Sequence, residues 1–315
     1  MPSTPAADGP VLAFGVHILD TLVRPVESIP EGQSAALVEA ITVTAAGTAG
    51  AAGLVMSRLG ADVRSAGVVG DDSAGDFLVH LLGKEGVDTS RLVRADGTAT
   101  SASVLPIRPD GSRPAFHVLG ATALLPQHVP WDDLDGLGAL HLGGPEFFGG
   151  DLAAQICSRA RRGGAITSAD SLAPPDAGSF EWFAAVLPHL DFLLPNDEQV
   201  LGWTGASDLE EGCRVLVERG AGAVVATAGA DPTVVATVDG TWRVPVFDVD
   251  VVDTTGCGDA FSGGFVRAIQ LGKTVTEAAL FGNAVAAQVA QGLGSDYGDY
   301  DADSIARFVA ERAAR

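Results

Sequence analysis

Basic residues are scarce in this 315-residue chain. Nineteen lysines and arginines stand against 40 acids, for a formal net charge of −21. Nucleic acids and anionic membranes bind basic surfaces, so neither is expected as a partner. The acidity itself reads as a solvated, soluble surface. Cysteine is scarce as well: Cys157, Cys213 and Cys257 are scattered, odd in number and form no CxxC pair. That argues against a disulfide framework or a structural zinc site, and suits a reducing cytoplasm. No apolar run reaches the roughly 18 residues of a membrane span. The N-terminal MPSTPAADGP lacks a basic start followed by an apolar stretch, so it is not read as a signal peptide. Its ten residues are expected to fray. The six histidines are isolated from one another and none has metal-ligand spacing.

What the chain does have is apolar bulk and rhythm. Hydrophobic residues make up 47%, enough for a substantial core. At about 150 residues per domain the length suits two domains or one large α/β domain. Short buried-type strands are expected at Val11–Phe14, Val63–Val69, Ala139–Leu142, Ala165–Ser168, Phe192–Leu194 and Ala223–Ala226. Helices are expected at Ala49–Leu59, Ser73–Lys84, Leu152–Arg162, Asp208–Arg219, Gly258–Gln270, Val275–Gln291 and Asp303–Ala314. Asp72 or Ser73 would cap the second of these, with Gly86 beyond its end. The alternation points to a mainly parallel sheet covered on both faces. Without repeats, low-complexity linkers or a clean boundary, a single domain over residues 1–315 is the expectation.

Two segments break the rhythm. Leu22–Val43 has no strong helical pattern and carries Pro25 and Pro30. Thr98–Leu119 holds two strand-like stretches around the turn Pro109-Asp110-Gly111. They read as strands outside the main sheet, either a lid that excludes water from a reaction or a pair of surface hairpins.

Three glycine-rich stretches miss the motifs they resemble. Gly272-Lys273-Thr274 has Arg267 where a P-loop needs its first glycine. Gly47–Gly53 is GxxGxxG, not a dinucleotide fingerprint. Gly70–Gly75 misses the nucleophile elbow by one residue.

The stretch DTTGCGDAF, Asp253 to Phe261, is different. Gly256, Cys257 and Gly258 precede the helical pattern Ala260, Phe261, Phe265, Val266, Ile269. They therefore fall at a helix N-terminus, where free N–H groups and the helix dipole favour an anion. Asp259 in the first turn is placed to take a proton from a hydroxyl beside that anion hole. Phosphoryl transfer needs little more than positioning and cations. The alternative is structural: Asp253 or Thr254 caps the helix, and Asp259 only complements the dipole. Cys257 would contribute its N–H and no thiol chemistry.

This stretch resembles the D-T-x-G-A-G-D signature of the ribokinase-like sugar kinases, the phosphofructokinase-B (PfkB) family, with Cys257 in the alanine place. AAGTAGAAGLVMSRLG (Ala45–Gly60) resembles that family's glycine-rich segment and its helix. GVVGDDSAGDFL (Gly67–Leu78), LLPNDEQVLGWTG (Leu193–Gly205) and FGNAVAAQVAQGLGS (Phe281–Ser295) are similar to further motifs in the same order.

The resemblance implies a three-layer α/β sandwich with a small β-sheet lid, built from about residues 16–46 and 98–119. It implies transfer of a phosphoryl group from ATP, with Mg2+, to a hydroxyl of a sugar or sugar-like molecule. Asp259 would be the base, and Gly256, Cys257 and Gly258 the anion hole. Asp20, Gly47 and Thr48 would face the sugar. Asn196, Thr227, Gly229 and Asn283 would lie around the nucleotide, Asn196 near the phosphates and magnesium. Asp253 and Thr255 would help bind a monovalent cation, usually potassium. Exposed lid strands could pair two protomers.

Three positions depart from the family pattern. Ala51 replaces a sugar-contacting asparagine, Gln199 the glutamate of N-x-x-E, and Pro232 a glycine of the nucleotide loop. Ala51, with Phe116 in the lid, admits a nucleoside kinase. Gln199 and Pro232 admit a binding protein with little catalysis. Arg113, Phe116 and His117 are the lid residues placed to choose the acceptor.

Overall fold

The computed structural model describes residues 9–313, so the expectations of a frayed start and of a last helix reaching Ala314 fall partly outside the described residues. In chain order it contains β1 (Val11–Gly15), β2 (Ile18–Arg24), β3 (Ala40–Ala46), α1 (Gly50–Arg58), β4 (Val63–Gly70), α2 (Ser73–Lys84) and β5 (Asp88–Ala95). Next come β6 (Ala102–Pro106), β7 (Phe116–Val118), β8 (Ala139–Gly143), α3 (Gly150–Arg162), β9 (Ile166–Asp170), α4 (Ala177–Phe183) and β10 (Phe192–Leu193). The chain continues with α5 (Asp197–Thr204), α6 (Leu209–Glu218), β11 (Ala223–Ala228), β12 (Asp231–Thr237), β13 (Gly240–Val244), α7 (Cys257–Gln270), α8 (Val275–Val289) and α9 (Ala302–Ala313).

Val11–Phe14 is uninterruptedly apolar because β1 is buried on both sides. Leu12 and Phe14 enter one core, with Leu140, Ile156 and Phe180. Val11 and Ala13 enter the other, with Val55, Phe265 and Val285. Around this strand runs a nine-stranded sheet ordered β13-β12-β11-β10-β9-β8-β1-β4-β5. From β5 to β11 the pairings are parallel. The hairpin β12–β13 adds two antiparallel strands at one edge.

β5, β12, β13 and α4 lie outside the elements expected from the sequence. In β5, DTSRLVRA alternates exposed and half-buried residues and buries only Leu92, as a sheet edge allows. That leaves no apolar run to read. Asp72 is the cap of α2, accepting from Gly75 N at 2.8 Å. Gly272-Lys273-Thr274 is the turn between α7 and α8, where Thr274 starts a capping box with Glu277.

The two irregular segments form a separate four-stranded sheet ordered β3-β2-β6-β7. β2 runs antiparallel to β3 and parallel to β6, and β7 returns antiparallel to β6. Asp20 pairs with Thr44 on one side and Ser103 on the other, and Ser103 pairs with His117. These four residues form one row on one face. Ile41, Val104, Phe116 and Val118 occupy the opposite face and stand exposed.

Candidate active site

Alpha helix α7 begins without a side-chain cap. Its N-cap is Gly256 at φ 76°, a left-handed conformation natural to glycine. Neither Asp253 nor Thr254 caps it, so the expected side-chain cap is absent. Asp253 instead turns its Oδ1 to Thr255, accepting from the N–H at 3.1 Å and the hydroxyl at 2.9 Å. Among the described residues, the N–H groups of Gly256, Gly258 and Asp259 have no partner. Cys257 N–H donates to Thr254 O at 3.3 Å. Burial pushes the Cys257 thiol up to about 12, so it stays protonated. A Cβ on Gly258 would meet no atom within 4 Å.

These residues open onto a cavity of about 890 Å³. It gathers Thr48, Asn196, Thr227, Gly229, Gly256, Cys257, Gly258, Asp259 and Asn283 from segments spread over most of the chain. Asp20, Gly47, Asp253 and Thr255 are not on its wall. Asp20 lies on the small sheet, close enough to Asp259 to raise its pKa. Gly47, at φ 87°, packs against the Val16 carbonyl.

Burial holds the Asp259 carboxyl well above its ordinary range, helped by the charges of Asp170 and Asp20 and opposed by Arg113. Asp20 is raised by burial too, against the effects of Ser103, His117 and Arg113. One of its oxygens, Oδ1, is buried without a partner, as is the Thr48 hydroxyl. Such atoms are costly unless something fills the need, and vicinal sugar hydroxyls are suitable partners. His141, fully buried, donates from Nε2 to Thr48 O at 3.0 Å and so fixes the backbone that carries the hydroxyl. Burial lowers His141 to about 4, so the ring is neutral.

On the other side, Asn196 and Thr227 meet in a parallel bridge where β10 and β11 end. The Asn196 side chain caps α5, accepting from Gln199 N at 2.8 Å. Gln199 returns its Oε1 to Asn196 N at 3.1 Å and donates from Nε2 to Ser171 O and Ala173 O. The Asn283 amide is also engaged: Oδ1 accepts from Thr233, and Nδ2 donates to Pro245 O.

The sequence reading missed Asp170 and Glu146. Asp170, the last residue of β9, lines the cavity. Burial raises it to about 7. Glu146 accepts from Ser171 Oγ and Leu172 N, both at 2.8 Å. The available signal was an acid closing a buried strand run, since ligands bind at the carboxyl ends of open α/β sheets.

No group of three or more His, Cys, Asp or Glu among the described residues could hold a metal. Divalent metal in such a site would arrive on nucleotide phosphates, which suits Mg2+. For a monovalent cation the fit is better: Asp253 Oδ2 is buried and unpartnered. No helix among the described residues is long and apolar enough to cross a membrane.

A parallel α/β sheet, a bare helix N-terminus and a carboxylate in its first turn are features that suit phosphoryl transfer. The pfkB family carbohydrate kinase model matches residues 11–301, so the chain belongs to that family and is an ATP-dependent kinase. Its fold is ribokinase-like. It is 28% identical over 304 residues to the ATP-dependent ribose-1-phosphate kinase of Halopiger xanaduensis, covering 96% of this chain and 98% of that one. It is 25% identical to the nucleoside kinase of Methanothermobacter thermautotrophicus, covering 96% and 97%. The ribokinase of Arabidopsis thaliana, solved with ribose and ATP, superposes with a TM-score of 0.81 at 20% identity, covering 98% and 99%.

Proposed function

We propose that this kinase phosphorylates a hydroxyl of a sugar or sugar-like small molecule, with Asp259 as the general base. The observation that carries this is the uncapped start of α7, with three unpartnered N–H groups beside a carboxyl of raised affinity for protons. The acceptor hydroxyl gives its proton to Asp259. The free N–H groups of Gly256, Gly258 and Asp259 steady the phosphoryl group in transfer, while that of Cys257 is held by Thr254 O. Asp20 and Thr48 present unpartnered oxygens to the acceptor, with Gly47 turning the chain between them. Asn196, Thr227, Gly229 and Asn283 frame the nucleotide. Mg2+, when bound with ATP, offsets phosphate charge. Asp253 would hold K+ through its free oxygen, with Thr255 completing the turn.

The four-stranded sheet acts as a lid on one domain spanning residues 1–315, because its polar row brings Asp20 to the reaction. Its opposite face, with Ile41 and Phe116 more than 60% exposed, supports a homodimer through the lid strands. Three free cysteines accord with a cytoplasmic setting.

A nucleoside acceptor is the second reading, favoured by the likeness to a nucleoside kinase over 96% of this chain. Phe116 and Ala51 do not add to it: Phe116 lies on the face opposite Ser103 and His117, and Ala51 is fully buried in α1. Gln199 is engaged by the fold through Ser171 O and Ala173 O. The test is ADP release from ATP and Mg2+, with and without K+, across ketoses, aldoses, sugar acids and nucleosides. Asp259→Asn should lower acceptor-dependent turnover by about 10²-fold or more. Near-normal turnover in that variant would sink the mechanism.

A further inference from the structure

Arg113 is the one lysine or arginine among the described residues lining the cavity. It arrives on the loop between β6 and β7. Several guanidinium groups elsewhere are clasped by acids: Arg58 by Glu85, Arg219 by Glu181, Arg243 by Glu210. Arg113 makes no ion pair with any described residue. It nevertheless lies close enough to Asp20, Cys257 and Asp259 to act on the charge of all three.

His117, on β7, is not on the cavity wall but lies close enough to Asp20 to act on its charge. The row Asp20–Ser103–His117 crosses three adjacent strands, and Ser103 Oγ lies 3.0 Å from His117 Nδ1. The acid that faces the acceptor is thus flanked by an imidazole and a guanidinium. A neutral sugar has no use for the pair, since its hydroxyls are served by Asp20 and Thr48. A free guanidinium suits an oxyanion, which it can grip through two parallel bonds.

We propose that the acceptor is anionic, a sugar bearing a phosphate or carboxylate that Arg113 and His117 bind, with its free hydroxyl directed at Asp259. The assignment rests on the kinase reading above. Charge also sets the orientation. The start of α7 is taken by the transferring phosphoryl group, which repels a second anion, so the charged end of the acceptor faces the loop before β7. The phosphates of ATP are the other oxyanions in such a site. The row through Asp20 carries His117, and Arg113 acts on Asp20 from the neighbouring loop, which puts both on the acceptor's side.

The experiment measures ADP release with ribose, ribose 5-phosphate, ribose 1-phosphate, glucose, gluconate and adenosine, for wild type and Arg113→Met. Thermal shifts with the same compounds are read in parallel. Arg113 is exposed on a loop, so the variant should fold. Expected is a kcat/KM for an anionic acceptor about 10- to 100-fold above its neutral parent. Arg113→Met should erase that preference by raising the acceptor KM, with the ATP KM little changed. Phosphates against gluconate identify the anion.

Better turnover of ribose, glucose or adenosine would overturn the inference and leave the kinase reading intact. So would a rise in the ATP KM alone. Silence with every acceptor would defeat the kinase reading instead. The thermal shifts then decide: stabilisation selective for the anions and lost in Arg113→Met upholds the site, and equal stabilisation by neutral sugars overturns it.

Discussion

Ser262 Oγ donates to Asp170 Oδ2 at 2.9 Å, tying the second turn of α7 to the C-terminal end of β9. Ser262 is three residues beyond Asp259, so the two share a helix face. The bond therefore fixes a buried carboxyl beside the candidate base. Ser171 N–H donates to the other Asp170 oxygen at 2.8 Å. Burial outweighs both bonds, and nearby Glu146 adds to it, so Asp170 rises to about 7. Asp170 in turn raises Asp259.

Turnover should depend on pH through this pair. Asp259 accepts a proton only when ionised, and its pKa is raised, so kcat should climb with pH above the ordinary carboxylate range near 3.9. Asp170→Asn removes the adjacent negative charge and should move that acidic limb to lower pH. A kcat profile from about pH 4 to 9 for both proteins tests this. A limb that stays put, or moves up, would show that Asp170 does not tune the base.

Stability should move with pH in a related way. Folded Asp170 titrates at about 7 against an ordinary 3.8. Between those values the folded state keeps a proton that the unfolded state has released. Stability from this group is therefore complete below about 4, falls as pH rises, and is lost above about 7. Asp170→Asn should accordingly raise Tm at pH 8 and change it little at pH 4. Equal shifts at both pH values would refute the linkage.

Gln199 explains its own departure from the family pattern. Its Nε2 donates to two buried carbonyls, Ser171 O at 2.8 Å and Ala173 O at 3.2 Å. Glutamate cannot donate to either. Gln199→Glu should thus destabilise by about 1–3 kcal/mol at pH 8, from unmet carbonyls and a buried charge. The loss should shrink as the carboxyl protonates. Tm measured at pH 5 and pH 8 reads both. A Glu variant as stable as wild type at pH 8 would mean that this clamp is weak.

Much of this site was legible because its pieces are local. Gly256-Cys257-Gly258 followed by Asp259 announces a bare helix start within four residues. Apolar runs such as Val11–Phe14 announce doubly covered strands. Asp170 and Glu146 were not legible, because their chemistry depends on burial and on distant partners: Ser262 for Asp170, Ser171 and Leu172 for Glu146. β5 lacked a signal for the opposite reason: an edge strand buries too little to need an apolar run. Phe116 carried an ambiguity that only register resolves, since one position along β7 separates the site-facing row from the exposed face.

Two glycines of the anion hole should fail in opposite ways. Gly256 has φ 76°, and a Cβ there would stand 2.3 Å from Ser295 Cβ. Gly256→Ala combines a left-handed alanine, roughly 1–2 kcal/mol, with that clash, so Tm should fall along with activity. At Gly258 a Cβ meets nothing within 4 Å, and its helical position favours alanine over glycine by about 0.5–1 kcal/mol. Gly258→Ala should therefore keep or raise Tm. Its methyl group would occupy the space an oxyanion needs beside the free N–H groups, and the loss of one such contact costs about 10²-fold in turnover. Circular dichroism melts and ADP release on both variants make the comparison. If Gly258→Ala kept full turnover, the phosphoryl group would have to be held elsewhere than at the start of α7.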